Sequence, residues 1–386
     1  MGPLTGFTVV EMAGVGPGPF AGMMLADLGA DVIRVDRPGR GASVVPSGGA
    51  VARNAADVTS RGRRSVGVDL KSPDGVELVL KLVERADALI EGYRPGVMER
   101  LGLGPDECLA RNGRLVYGRM TGWGQEGPLA GSAGHDINYI SLSGALSAIG
   151  RAGQAPVPPL NLVGDYGGGA MLLAYGVLAG LLSAGRDGVG QVVDAAMVDG
   201  SALLMAPFYG AHAMGQWAER GTNLLDTGAP FYDVYATSDG GHVSVGPIEP
   251  QFFGLLIELL GVADLDPRGQ YDPATWPALR ERLAKAFAEN TRDHWEEVFG
   301  GTDACVAPVL SLAEAPAHPH NVARATFVSR DGVVQPAPAP RFSRTPAEIR
   351  SSPPAVGEHT REVLAWLGLD EAETLRLAEA GITQRD

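Results

Sequence analysis

The stretch TVVEMAGVGPGPFAGMMLADLGADVIRV, residues 8–35, decides the fold class. Thr8–Met12 is a β-rich apolar run and reads as a strand. A Gly/Pro turn follows, then a helical apolar pattern over Phe20–Leu28 that Gly29 stops. Asp31–Val35 returns to strand. A second unit repeats the plan. Ser72-Pro73 is an N-cap with proline at the first helical position, and Val76, Val79, Leu80 and Val83 then share one face. Ala88–Ile90, Leu115–Tyr117 and Gln191–Ala195 read as further strands. Gly167-Gly168-Gly169 opens a helix through Leu182 that is apolar nearly all round and therefore buried. Strands alternating with helices predict an α/β fold with a parallel, Rossmann-like sheet.

After Gly228 the pattern changes. Tyr232–Thr237 and His242–Val245 flank Ser238-Asp239-Gly240-Gly241, a hairpin signature. Helical runs follow at Phe252–Leu260, Pro277–Ala288 and Thr291–Phe299. Residues 330–356 are Pro-rich and read as an extended linker, and Glu358–Leu367 as a final helix. The expected organisation is a large α/β domain from residues 1–190 and 330–386, a linking strand and helix over 191–227, and a small α+β domain over 228–329.

Composition narrows the function. The 386 residues carry a formal net charge of −14, which excludes a surface built for nucleic acid. Cys108 and Cys305 are the two cysteines and have neither metal nor disulfide spacing. The N-terminus lacks a signal-peptide pattern, and the longest apolar run, Ala170–Leu182, is too short to span a bilayer. A soluble, cytoplasmic protein is expected.

Gly14-Val15-Gly16-Pro17-Gly18-Pro19 between a strand and a helix imitates a dinucleotide fingerprint, with Asp36 about twenty residues on. Its third glycine position falls on Pro19, which disfavours NAD. Against the acidic total, RGRRSVGVDLK is locally basic: Arg61, Arg63, Arg64 and Lys71, with Arg37 and Arg94 at ends of predicted strands. Such a cluster suits a ligand carrying phosphates, and a solvated face suits it equally.

Three places set titratable side chains beside backbone punctuation: Gly134-His135-Asp136-Ile137-Asn138-Tyr139, Gly164-Asp165-Tyr166-Gly167-Gly168-Gly169, and Ile248-Glu249-Pro250. Asp165 stands at a predicted helix start, where free N–H groups receive anions. Each also has a plain reading, with Asp165 and Glu249 as N-caps and His135 as a structural histidine. No set of histidines has metal-ligand spacing, and no G-x-S-x-G elbow is present.

Many segments in order resemble one family. IEGYRPGVMERLGLGP, RMTGWGQEGP, GHDINYISLSG, PPLNLVGDYGGG, GQVVDAAMVDG, GAPFYDVY, GPIEPQF and TDACVAPVL, together with the opening stretch, are similar to the α-methylacyl-CoA racemases of the class III CoA-transferase superfamily. The likeness runs from about residue 3 to residue 367. It implies that His135 and Asp165 are the catalytic acid/base pair and that Glu249 hydrogen-bonds the histidine. It implies CoA-thioester contacts from Arg37, Val68, Asp69, Leu70, Lys71 and Gly134 through Tyr139, that is Asp136, Ile137 and Asn138 included, with Arg94 adding a phosphate contact. It also implies an interlocked homodimer whose sites lie between the large domain of one subunit and the small domain of the other. No separate cofactor is implied, because CoA arrives within the substrate.

Two departures stand out: residues 41–58 are longer than usual, and Pro247 replaces a small residue. The alternative within the superfamily is a CoA-transferase using Asp165 as nucleophile. Those enzymes generally lack the histidine of GHDINY, so His135 favours racemisation. A non-catalytic CoA-binding protein is a third reading. For a racemase, two acid/base groups must flank the α-carbon, and the Gly167–Gly169 amides are the expected donors to the enolate oxygen.

Overall fold

A computed structural model describes residues 1–39, 56–262 and 264–384. The longer stretch at 41–58 falls mostly outside them. The chain forms two compact units. The first comprises Met1–Ser143, Leu160–Leu204 and Val322–Asp386, and the second Gly144–Pro159 and Met205–Asn321.

The first unit is built on six strands: β1 Thr8–Met12, β2 Asp31–Asp36, β3 Arg63–Gly67, β4 Ala88–Glu91, β5 Val116–Thr121 and β6 Gln191–Ala196. They form one sheet in the order β3-β2-β1-β4-β5-β6, with every pair parallel. The period-2 alternation of each strand feeds two cores. Val10, Met12, Ile33, Val35, Leu89 and Tyr117 face one of them; Val9, Val32, Ala88, Ile90, Val116 and Met120 face the other. The helix Pro73–Arg85 covers the first face, and the helices Pro17–Asp27 and Met171–Asp187 cover the second.

Four expectations need correction. β3 lies where only a basic run was read, with its Arg63 and Arg64 ion-paired inside the unit. The 191–227 linker does not exist as such, since β6 is a full sheet strand and the unit boundary falls after Leu204. The 330–356 segment is not simply extended. β10 Phe327–Arg330 and β11 Val333–Pro336 form a hairpin, whose Asp331-Gly332 turn has φ of 51° and 78°. The rest packs back on the sheet unit, with the Glu348 N–H donating to the Asp27 carbonyl at 3.0 Å. Finally, Thr360–Trp366 is followed by another helix, Glu371–Glu379, whose Asp370 cap accepts from the Glu373 N–H at 2.9 Å.

The second unit holds β7 Asp233–Ala236, β8 His242–Val245 and β9 Val306–Pro308 in one antiparallel sheet. The helices Pro250–Leu259, Trp276–Phe287 and Arg292–Phe299 pack an aromatic core of Phe231, Phe253, Phe287, Trp295 and Phe299 with it.

Candidate active site

In parallel α/β sheets ligands gather where the strand order reverses, beyond the carboxyl ends of the strands. Here that place lies between β1 and β4. A cleft of about 400 Å³ opens there, lined by the Gly14–Pro19 turn, the Gly92–Pro95 loop, Trp123, His135 and Asp165 among others. The turn first met as a failed nucleotide fingerprint is therefore a wall of the cleft. Gly16 has φ 70°, and a Cβ there would stand 3.5 Å from Asp165 Oδ2.

His135 is the N-cap of the helix Asp136–Leu142. Its backbone N–H donates to Asn138 Oδ1 at 3.0 Å, and its carbonyl accepts the Asn138 N–H at 2.8 Å. The residue is exposed, which sets it apart from a structural core histidine. Tyr139, one turn on, is buried and meets Trp123 edge to face, with centroids 4.7 Å apart. That ring leaves no room for side chains beneath it: a Cβ at Gly134 would stand 2.7 Å from it, and one at Gly122 2.0 Å. The glycine of GHDINY is thus a packing requirement of the helix that carries the histidine.

Asp165 does not precede an ordinary helix start. Leu162–Ala170 is a π-helix that runs into the α-helix Met171–Asp187. In a π-helix, N–H groups bond to carbonyls five residues back. Gly167–Gly169 lie inside it, so their amides are occupied and are not the oxyanion donors expected from the sequence. Its glycines serve close packing instead: a Cβ on Gly168 would stand 2.5 Å from the Ser201 backbone nitrogen. The Asp165 carboxyl accepts Asn161 Nδ2 at 3.1 Å. Burial pushes its pKa above the ordinary 3.8, the Asn161 bond pulls it back, and the nearby Asp136 charge pushes it further up. The helix-start effect expected from sequence does not win.

Asp136 is 6% exposed and its Oδ2 accepts the Asp165 backbone N–H at 2.7 Å. Neither Asn161 nor this bond is apparent from spacing. Two more carboxylates escaped sequence reading. Glu11 and Glu91, at the ends of β1 and β4, line the cleft floor and are ion-paired with Arg63 and Arg119.

The basic run divides. Arg61 pairs with Asp27 at 2.5 Å, Arg63 with Glu11 at 2.6 Å, and Arg64 with Asp31 and Glu362. Arg61 and Arg63 are buried. These three are internal ion pairs, not a phosphate cluster. Arg37 and Lys71 are exposed near the ends of β2 and β3, on the same sheet edge as the cleft but outside it. Val68 is a core side chain, with Asp69 and Leu70 partly buried beside it. Ile137 and Asn138 are exposed on the histidine helix, and Arg94 lines the cleft. Glu249 belongs to the second unit. It is exposed at the N-cap of Pro250–Leu259 without a side-chain capping bond. The preceding Pro247 is buried, and its carbonyl accepts Gln270 Nε2 at 2.9 Å.

The model of CoA-transferase family III matches residues 4–360. The chain belongs to that family. Among its relatives is the mouse protein named alpha-methylacyl-CoA racemase, 45% identical over 99% of this chain and 98% of the relative. The human protein of the same name is 45% identical over 97% and 96%. Among solved structures, a CAIB/BAIF family protein from Brucella suis superposes with a TM-score of 0.80 at 28% identity, covering 95% of this chain and 99% of that one.

Proposed function

We propose that this family III member is an α-methylacyl-CoA racemase, interconverting (R)- and (S)-2-methylacyl-CoA by proton transfer at the α-carbon. One observation carries the reading: His135 and Asp165, two acid/base groups of different kind, line the same cleft. The likeness to the mouse and human racemases over the whole chain supports it.

Inversion needs one group ready to take a proton while the other gives one. Burial of Asp165 favours its protonated form, which suits it to donate while neutral His135 accepts. In the reverse direction the ionised Asp165 accepts and protonated His135 donates. The enolate oxygen needs donors, and the π-helix amides are taken. The N–H groups of Asp136 and Ile137, at the start of the Asp136–Leu142 helix, precede its first backbone bonds to the His135 carbonyl and stand beside His135. Arg94, on the cleft wall, suits a CoA phosphate, and Arg37 and Lys71 suit the rest of that nucleotide along the sheet edge. The reaction requires no cofactor, because CoA enters as part of the substrate.

The proposal includes a homodimer in which Glu249 from a second copy orients His135. Leu162 at 56% exposure, Tyr175 at 71%, Leu182 at 74% and Leu203 at 61% are large apolar side chains of the kind that associating proteins cover. The unpaired thiols Cys108 and Cys305 suit a reducing cytoplasm, and a branched acyl-CoA substrate suits a role in lipid metabolism.

The test is incubation with a single 2-methylacyl-CoA epimer in D₂O. Deuterium at the α-position with loss of optical purity is the expected result, abolished in His135→Ala and in Asp165→Ala. If instead acceptor acids exchange CoA and hydroxylamine traps an acyl group on Asp165, the chain is a transferase.

A further inference from the structure

We propose that Asp136 is a positioning residue: its carboxylate clamps the backbone amide of Asp165 and so holds together the two helices that carry the acid/base pair. This role deepens the racemase reading and rests on it.

Asp136 is the first residue of the helix that His135 caps, and Asp165 lies in the π-helix, 29 residues away in the chain. Asp136 Oδ2 accepts the Asp165 N–H at 2.7 Å, with the carboxylate 6% exposed. A charged acceptor on a buried amide is among the stronger hydrogen bonds. Gly164 leaves the approach open. A Cβ there would stand 2.5 Å from that same Oδ2 and 2.8 Å from its carbon. Three features therefore build one contact: a glycine that clears the way, an amide that donates, and an acid that receives.

Asp136 Oδ1 is buried and has no hydrogen-bond partner among the described residues. A half-satisfied buried carboxylate is costly, and a helix needs no acid at this position. A purely structural residue would be better served by asparagine, which accepts the same bond without the charge. The charge has a second effect. The titratable neighbours whose charges reach Asp165 are Asp136 and His135, with the Tyr139 phenol also within its field. Asp136 is the negative one that favours a proton on Asp165, and it is joined through one peptide bond to the histidine. A single buried charge thus biases Asp165 toward holding its proton while its carboxylate holds the Asp165 amide.

The experiment uses the full chain and two variants. Hydrogen exchange at the Asp165 amide reads the clamp without reference to activity. Asp136→Ala should accelerate exchange there at least tenfold, with the sheet strands unaffected, and Asp136→Asn should retain most of the protection. In the epimerisation assay, Asp136→Ala should lower kcat by about 100-fold with KM within threefold of the parent. Asp136→Asn should recover most of kcat, with the limb of the pH–rate profile that reports Asp165 moved to lower pH.

Unchanged exchange in Asp136→Ala overturns the clamp. A raised KM with kcat intact overturns it in favour of a substrate contact. An unshifted pH profile in Asp136→Asn removes the electrostatic part. If the unsubstituted chain shows no α-deuterium incorporation, the racemase reading has failed. The exchange measurement then still decides the clamp by itself.

Discussion

Replacing Arg63 by methionine should destabilise the protein by about 3–5 kcal/mol, the usual cost of stranding one partner of a buried ion pair. The structure supplies the reasons. The Arg63 side chain is 0% exposed and Glu11 1%, with Nε 2.6 Å from Oε2. The guanidinium also donates to the carbonyls of Thr59 at 2.5 Å and Arg61 at 3.0 Å, and to that of Pro19. Methionine fills similar volume but leaves the Glu11 charge and three carbonyls without their donor, next to the cleft floor. The helix Pro17–Asp27 passes directly over the pair. A Cβ on Gly22 would stand 2.3 Å from Glu11 Oε2, so the structure has little freedom to relax around the loss. Urea unfolding is the assay, with Glu11→Gln and the double variant completing a cycle. The double variant should lose less than the sum of the singles by roughly 0.5–3 kcal/mol. Arg94→Ala provides the contrast. That side chain is exposed on the cleft wall, so stability should stay within about 0.5 kcal/mol. KM for the thioester should rise about 10–100-fold, the equivalent of one charge-assisted hydrogen bond. Normal stability with a raised KM in Arg63→Met would refute the internal-pair assignment and restore a phosphate role for the basic run.

The raised pKa of Asp165 predicts a pH signature in stability. Above its ordinary 3.8 the folded chain binds more protons at this group than the unfolded chain, so its contribution falls as pH rises through that window. Asp165→Asn removes that penalty. The variant should gain on the parent from about pH 4 toward neutrality and converge with it in acid. A gap that widens on acidification, read by denaturant titration across pH, contradicts the burial argument. The two thiols should also differ in reactivity. Burial pushes the Cys108 pKa up to about 12, while Cys305 is exposed. Alkylation of the folded chain at pH 8 should label Cys305 alone, with Cys108 reacting after denaturation, as peptide mapping would record.

The sequence by itself determined what nearest neighbours along the chain can encode. Short apolar runs separated by helix patterns and helix stops announced the parallel α/β plan, since each strand of such a sheet must bury both faces. The hairpin at Asp239-Gly240 and the helices of the second unit were equally legible. His135 and Asp165 were marked by glycines around titratable side chains, and the family likeness assigned them roles. The Asp-Gly turn at 331–332 and the Asp370 cap with Glu373 carry the same kind of local signal, the first inside the proline-rich 330–356 segment and the second just past the Glu358–Leu367 helix.

Tertiary structure alone decided which charges meet. Arg63 and Glu11 are 52 residues apart, and Arg61 and Asp27 are 34 apart. A basic run looks the same in sequence whether its partners are phosphates or carboxylates brought in by sheet order. The Asp136–Asp165 contact and the raised proton affinity of Asp165 belong to the same class. Desolvation and hydrogen bonding depend on what surrounds a group in space, and that is set only when β1 and β4 lie side by side and the two loops close over their ends.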